Sequence, residues 1–177
     1  MKLLGISGSL RAGSYNSLLV REAARLFGEA EFTMGDLRLP LYDGDVEASD
    51  GVPPEVQRLG DQIAAADAII VSTPEYNQAM SGVLKNALDW VSRVEGSPWR
   101  LKPVALLSAA AGRTGGARAQ FSLRLAMVAF QPRIVPAREV MVGSASKAFG
   151  EDGRLSDELA EKLLTSLMAD LRSMAEG

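Results

Sequence analysis

Short apolar segments alternate with amphipathic helical segments along the whole chain, and this alternation restricts the possible folds more than any other feature of the sequence. Two of the apolar segments, Ala68–Thr73 and 103–108, contain no charged residue, which is typical of strands buried on both faces of a parallel sheet. A helix between consecutive parallel strands is their usual connection. The pattern therefore predicts an α/β fold with a doubly wound, five-stranded parallel sheet and helices on both faces.

The positions of the individual elements follow from local periodicity and from turn residues. Strands are predicted at Lys2–Ser7, 31–37, Ala68–Thr73, 103–108 and 138–142. Helices are predicted at 16–27, 55–66, 81–91, 115–129 and 155–175, and the stretch 39–54 is predicted to be irregular. No internal repeat or linker interrupts the pattern. We therefore expect one flavodoxin-like domain over residues 1–177, with the strand order 2-1-3-4-5.

The loop after the first strand combines glycines, hydroxyl side chains and one arginine at the predicted start of a helix. Free backbone N–H groups and the helix dipole favour an anion at such a position. Ser9, Ser14 and Asn16 can donate hydrogen bonds, and Arg11 adds a permanent positive charge. The glycines have the spacing of a triphosphate-binding loop, but its lysine is missing, and no G-x-G-x-x-G pattern occurs. We interpret the loop as a site for a phosphate monoester; the alternative is a serine-rich turn that only caps a helix.

A second loop, Pro74-Glu75-Tyr76-Asn77, follows the third predicted strand. In the order 2-1-3-4-5 the connections diverge between strands 1 and 3, so the two loops are expected to flank one crevice. The backbone amides of the second loop can lie along the edge of a flat heterocycle, and Tyr76 offers an aromatic face. The alternative is an ordinary turn after a strand.

A third loop, 108–116, follows the fourth predicted strand and contains small residues and glycines. Ser108 and Gly112 belong to it, and backbone without side chains lets a ligand approach closely. Arg113 and Arg118 are candidates to attract an anionic cosubstrate, although surface arginines are usually only solvated.

The composition excludes several classes of chemistry. The chain has no histidine and no cysteine, which removes Ser-His and Cys-His nucleophile pairs, zinc-finger sites, thiol redox centres and iron–sulfur ligation. The net charge of −3 is not that of a nucleic-acid-binding protein. No apolar run is long enough for a membrane span, so we expect a cytoplasmic protein that does not insert into membranes and does not bind nucleic acid.

Four motifs in order along the chain resemble the NAD(P)H-dependent FMN reductase family, whose bacterial quinone, chromate and azo reductases are the most similar. The motifs are Gly-Ser-Leu-Arg-x-Gly-Ser-x-Asn, Leu-Pro-Leu-Tyr-Asp-x-Asp, Pro-Glu-Tyr-Asn and Leu-Lys-Asn-Ala-Leu-Asp-Trp. The resemblance implies FMN as a prosthetic group, NADPH or NADH as cosubstrate, a small-molecule electron acceptor such as a quinone, and a homodimer or homotetramer. It implies no catalytic side chain and no metal. The candidate cofactor-binding residues are Ser9, Arg11, Ser14, Tyr15, Asn16, Pro74, Glu75, Tyr76, Asn77, Ser108 and Gly112.

Two other functions remain open from the sequence. A flavodoxin-like electron carrier would share the fold and the FMN, and a flavin-free regulatory or scaffold domain would share only the fold. The oligomer prediction depends on apolar residues that one core does not obviously need, and the alternative is that they pack inside the core. These residues are Leu41, Tyr42, Met80, Val83, Trp90 and Trp99.

Overall fold

A parallel sheet with helices on both faces organises the chain, and the computed structural model describes all residues from 1 to 177. The strands are β1 (Lys2–Ser7), β2 (Glu31–Met34), β3 (Ala68–Thr73), β4 (Pro103–Ala109), β5 (Arg133–Ile134) and β6 (Val140–Val142). The helices are α1 (Tyr15–Phe27), α2 (Gly44–Asp50), α3 (Pro54–Ala65), α4 (Gly82–Val91), α5 (Ala117–Met127) and α6 (Glu158–Glu176). The strand order β2-β1-β3-β4-β5 confirms the predicted flavodoxin-like arrangement.

The two faces of the sheet carry separate hydrophobic cores. Helices α1 and α6 cover one face, where Leu3 and Ile70 point, and helices α3, α4 and α5 cover the other, where Leu4 and Ile69 point. Successive residues of a strand point to opposite faces. Because both faces are covered, β3 and β4 are buried along their whole length, as their uncharged sequences predict.

The edge of the sheet beyond β4 differs from the prediction. A single strand was expected at 138–142, but two short strands pair with β4 instead: β5 with its beginning and β6 with its end. Pro136 lies between them and has no backbone N–H to continue the ladder. The second predicted strand is also shorter than expected, since β2 ends at Met34.

A helix also occupies part of the stretch that was predicted to be irregular. The Asp43 side chain accepts a hydrogen bond from the Asp45 backbone N at 2.9 Å and caps α2. Asp45 and Glu47 lie in the first turn, where negative charge is favourable. The acidic residues were therefore the signal of a helix N-terminus. No helix of the chain is long and apolar enough to span a bilayer.

Candidate functional site

The first and second loops touch each other at the carboxyl ends of β1 and β3. The Ser81 hydroxyl donates a hydrogen bond to the Gly8 carbonyl at 2.6 Å, and the Gly8 backbone N donates to the Ser72 carbonyl at 2.8 Å. A Cβ atom on Gly8 would lie 2.9 Å from the Ser81 Oγ and 3.3 Å from the Pro74 Cδ. Only a residue without a side chain permits this approach. The two loops are therefore in contact where the sequence predicts the crevice.

Asn16 joins the first loop to the ends of β3 and β4. Its side-chain nitrogen donates to the Ala109 carbonyl at 2.9 Å, and its oxygen accepts from the Ala109 backbone N at 3.0 Å and from the Ser72 hydroxyl at 2.8 Å. The residue is 3% exposed. The sequence suggested Asn16 as a donor to phosphate, but its side chain is buried, binds Ala109 and Ser72, and fixes the start of α1.

Ser14 also has a structural partner. It is the N-cap of α1, and its hydroxyl oxygen accepts a hydrogen bond from the Ser17 backbone N at 3.3 Å. Ser14 is buried, whereas Ser9 is half-buried and Arg11 is exposed. Of the four polar side chains that the first motif offers, Ser9 and Arg11 are the two that face outward.

The backbone of the first loop is rich in unused donors. The N–H groups of residues 9–13 donate to no acceptor in the protein, and they precede the N-terminus of α1. Arg11 has no acidic partner, and its Cζ lies 5.4 Å from the centre of the Tyr15 ring. Free amides, a helix N-terminus and an unpaired guanidinium are the features that favour binding of an anion. This arrangement fits a phosphate group.

Positive charge extends beyond this loop. A cavity of about 330 Å³ adjoins it on the β2 side and is lined by Arg11, Arg21 and Arg38, among other residues. Arg38 pairs with Asp36 at 3.1 Å, while Arg21 has no ion-pair partner. The surroundings of the first loop are therefore electropositive, although the whole chain is acidic.

The second loop is a two-residue hairpin turn. Tyr76 and Ala79 exchange backbone hydrogen bonds of 3.0 and 3.1 Å, and the residues between them, Asn77 and Gln78, have φ values of 50° and 68°. Two consecutive positive φ angles are the geometry of a type I′ turn, where Gly or Asn is usual and glutamine is strained. The turn leaves the Tyr76 side chain 56% exposed. The backbone N–H groups of Glu75 and Asn77 have no acceptor in the protein.

Glu75 has a role that sequence analysis did not identify. Its carboxylate accepts hydrogen bonds from the backbone N of Arg118 at 3.1 Å and of Ala119 at 3.4 Å. Gly116 is the N-cap of α5 and has no side chain with which to cap the helix. Glu75 therefore caps α5 from another loop and ties the second loop to the third. No sequence signal marks such a long-range cap.

In the third loop, Ser108 and Gly112 lie in different environments. The Ser108 hydroxyl is fully buried, donates to the Gly115 carbonyl at 2.6 Å and accepts from the Gln120 side chain at 3.1 Å. Ser108 thus stabilises the third loop from the buried end of β4. Gly112 is exposed, and a Cβ atom there would meet nothing within 4 Å. Arg113 and Arg118 are exposed and without ion-pair partners.

Known proteins are similar to this chain over most of their length. Residues 1–147 match the family described as NADPH-dependent FMN reductase. The chain is 47% identical over 174 residues to an NAD(P)H-dependent FMN reductase of Pseudomonas aeruginosa, a match that covers 97% of this chain and 94% of the relative. It is 37% identical over 147 residues to a quinone reductase of Escherichia coli K12, with coverage of 81% and 78%.

A solved structure has a similar fold. FerB, a flavoenzyme NAD(P)H:(acceptor) oxidoreductase from Paracoccus denitrificans, superposes with a TM-score of 0.88 at 32% sequence identity. The superposition covers 99% of this chain and 98% of the FerB chain. The two chains therefore share the same fold over almost their whole length.

Proposed function

Because this chain belongs to the NADPH-dependent FMN reductase family, we propose that it is an FMN-dependent oxidoreductase that oxidises NADPH or NADH and reduces a quinone. In the overall reaction, NAD(P)H, a proton and the quinone give NAD(P)⁺ and the hydroquinone, with transfer of two electrons. Chromate, azo compounds and free flavin are other candidate acceptors. Relatives named as reductases favour an enzyme over an electron carrier alone.

One observation carries this proposal: the loop with the free amides of residues 9–13 and the unpaired Arg11 guanidinium is in contact, through Gly8, with the loop that forms the Tyr76 turn. An FMN molecule needs an anion site and a flat site close together. The contact between Gly8 and the Pro74 loop supports the proposal that one ligand reaches both the anion site and the flat site. We propose that FMN is retained there as a prosthetic group.

The candidate residues divide into ligand contacts and supports. Ser9, Arg11 and the loop amides hold the phosphate, and charge-assisted hydrogen bonds of this kind contribute about 1.5–3 kcal/mol each. The free N–H groups of Glu75 and Asn77 donate along the ring edge and stabilise negative charge that develops on reduction. Ser14, Asn16 and Ser108 hold the loops in place. Tyr15 and Pro74 shape the walls, and Gly112 leaves room for a ligand.

FMN would supply the two-electron redox chemistry that no side chain of this chain offers. The protein positions the ligand and provides the electrostatic environment. The absence of histidine and cysteine is consistent with this division, because no protein nucleophile is required. Tyr76, which is 56% exposed, leaves an open approach for a nicotinamide or an acceptor.

We further propose that the protein assembles as a homodimer or homotetramer. Phe121, Leu125 and Val128 follow one face of α5 and the turn after it, and their exposed fractions are 57%, 76% and 69%. Such an apolar stripe is typical of a contact surface. Of the residues suggested from sequence, Trp90 and Trp99 are instead buried in the core.

Light scattering of the wild-type protein and of Leu125→Glu tests the assembly. The wild type is expected to be an oligomer and the variant a smaller species, whereas Leu159→Glu, at another exposed position on α6, is the matched control and should leave the oligomer intact. A monomeric wild type at low micromolar concentration would contradict the proposal.

The absorbance spectrum of the purified protein tests the main proposal. We expect flavin bands, release of FMN on denaturation, and steady-state oxidation of NADPH or NADH with a benzoquinone as acceptor. A colourless protein that does not take up added FMN would indicate a scaffold. A yellow protein without NAD(P)H oxidation would indicate an electron carrier.

A further inference from the structure

We infer that Phe149 is a positioning residue for the phosphate site: it fixes the ring of Tyr15 and, through that ring, the guanidinium of Arg11. The inference rests on the proposed function, in which Arg11 holds the FMN phosphate. Phe149 lies beyond residues 1–147, the part of the chain that matches the family. It was not among the candidates from the sequence.

The Tyr15 ring contacts both of the other side chains. The rings of Tyr15 and Phe149 have centroids 6.0 Å apart and an interplanar angle of 14°. The Cζ of Arg11 lies 5.4 Å from the centre of the Tyr15 ring. The Arg11 guanidinium makes no hydrogen bond and no ion pair, so its contact with the Tyr15 ring is what restricts it.

Phe149 is itself held by a hairpin. Phe149 and Leu155 form an antiparallel bridge, and the Ser156 backbone N donates to the Ala148 carbonyl at 2.9 Å. The Gly150 backbone N donates to the Arg154 carbonyl at 2.9 Å and closes the turn. Leu155 is buried in the core formed with α1 and α6. The hairpin therefore fixes the backbone of Phe149, whose ring contacts Tyr15.

The physical consequence is pre-organisation of a flexible cation. An exposed arginine has many rotamers, and ordering it on binding a ligand costs free energy. A ring face attracts the guanidinium and removes part of that cost before the ligand arrives. Tyr15 can do this only where its own ring is fixed, and the parallel contact with Phe149 supplies that restraint.

A thermodynamic cycle tests this role through FMN affinity, measured by quenching of flavin fluorescence on titration of the FMN-depleted protein. Phe149→Ala is expected to weaken binding about three- to tenfold. Phe149→Tyr keeps the ring and is expected to bind like the wild type. Leu159→Ala, which removes an exposed apolar side chain from α6, is the matched control and should have no effect.

The decisive comparison is made in an Arg11→Ala background. If Phe149 acts through Arg11, Phe149→Ala should cause no further loss of affinity there. An equal loss in both backgrounds, or wild-type affinity of Phe149→Ala, overturns the inference while leaving the proposed function intact. If Phe149→Ala does not fold by circular dichroism, Phe149→Leu replaces it under the same criteria. A wild type that binds no FMN overturns the proposed function and this inference together.

Discussion

The polar residues next to the crevice have two different roles, and the burial of each side chain indicates which role it has. Asn16, Ser14 and Ser108 are buried with protein partners, so they hold loops in position. Arg11 and Tyr76 are exposed at the crevice. A buried polar side chain without a partner is costly, so the first group must be satisfied within the fold whether or not a ligand binds.

Arg11→Ala is expected to weaken FMN binding by roughly 10- to 100-fold, because one charge-assisted contact to phosphate is lost. The kcat at saturating FMN should stay near the wild-type value, since the side chain holds the phosphate and not the reacting ring. Fluorescence titration and steady-state assays measure the two quantities. Arg100→Ala, an exposed arginine just before β4, is the control. Unchanged FMN affinity of Arg11→Ala would refute the assignment.

Gln78→Gly is expected to raise the free energy of unfolding by up to about 1 kcal/mol, because Gln78 has a φ of 68° that glycine adopts without strain. Gln57→Gly is the matched control: Gln57 is exposed within α3, and the same change there should destabilise by about 1 kcal/mol. Urea denaturation of both variants gives the comparison. Destabilisation by Gln78→Gly would show that the turn is not strained.

At the scale of elements, charged pairs join helices to one another. Glu22 on α1 is 4% exposed, and it accepts hydrogen bonds from Arg25 at 2.8 and 2.9 Å. Arg25 also reaches Glu161 on α6 at 3.3 Å. Hydrogen bonding to Glu22 raises the pKa of Arg25 further above its already high value. The pair therefore neutralises a carboxylate that would otherwise be buried alone.

Arg25→Leu is expected to lower the free energy of unfolding by roughly 2–3 kcal/mol, because Glu22 is left buried without its partner. The double variant Glu22→Leu/Arg25→Leu should recover most of the loss. Lys85→Met removes an exposed pair with Asp89 and should change stability by less than about 0.5 kcal/mol. Chemical denaturation gives all three values, and additivity of the two leucine substitutions would argue against a buried pair.

A second cluster links α2 to the end of α4 and makes stability depend on pH. The Glu47 carboxylate accepts from Arg93 at 2.8 Å and from the Tyr42 hydroxyl at 2.9 Å. Hydrogen bonding to Arg93, and then to Tyr42, holds the pKa of Glu47 below its usual value. Hydrogen bonding to Glu47 raises the pKa of Tyr42.

The two pKa shifts act at opposite ends of the pH range. The lowered pKa of Glu47 contributes stability above the usual glutamate range, and this is lost as pH falls below about 4. The raised pKa of Tyr42 contributes stability at neutral pH, and this is lost as pH rises above about 10. Glu47→Gln is expected to weaken the dependence of the free energy of unfolding on pH, both below about pH 4 and above about pH 10. Denaturation experiments across the pH range measure this dependence. Parallel curves for variant and wild type would contradict this expectation.

At the scale of the whole molecule, a ligand bound between the three loops should stabilise the complete fold, because these loops follow β1, β3 and β4 and contact one another. FMN at 100 times its Kd should add about 2.7 kcal/mol and raise Tm by roughly 5–10 °C. Riboflavin lacks the phosphate and should give a smaller shift at the same concentration. Equal shifts for the two ligands would show that the first loop does not bind phosphate.

The sequence by itself determined the sheet, its order and the three loops at its carboxyl end. Strands β1, β3 and β4 have strong local signals, because burial on both faces demands uncharged residues throughout. Helix α2 and the division of the edge into β5 and β6 were missed. The signal for α2 was the group of acidic residues at the start of that helix, and the signal for the divided edge was Pro136. Both signals are weak and local.

The tertiary structure alone decided which way each polar side chain of the site faces. Arg11 and Asn16 belong to the same short motif, but only long-range contacts bury Asn16 against Ala109 and leave Arg11 exposed. The cap that Glu75 provides for α5 and the stack of Phe149 on Tyr15 likewise join residues far apart in the chain. Periodicity records burial and local geometry, whereas the choice of a distant partner depends on the packing of the whole fold.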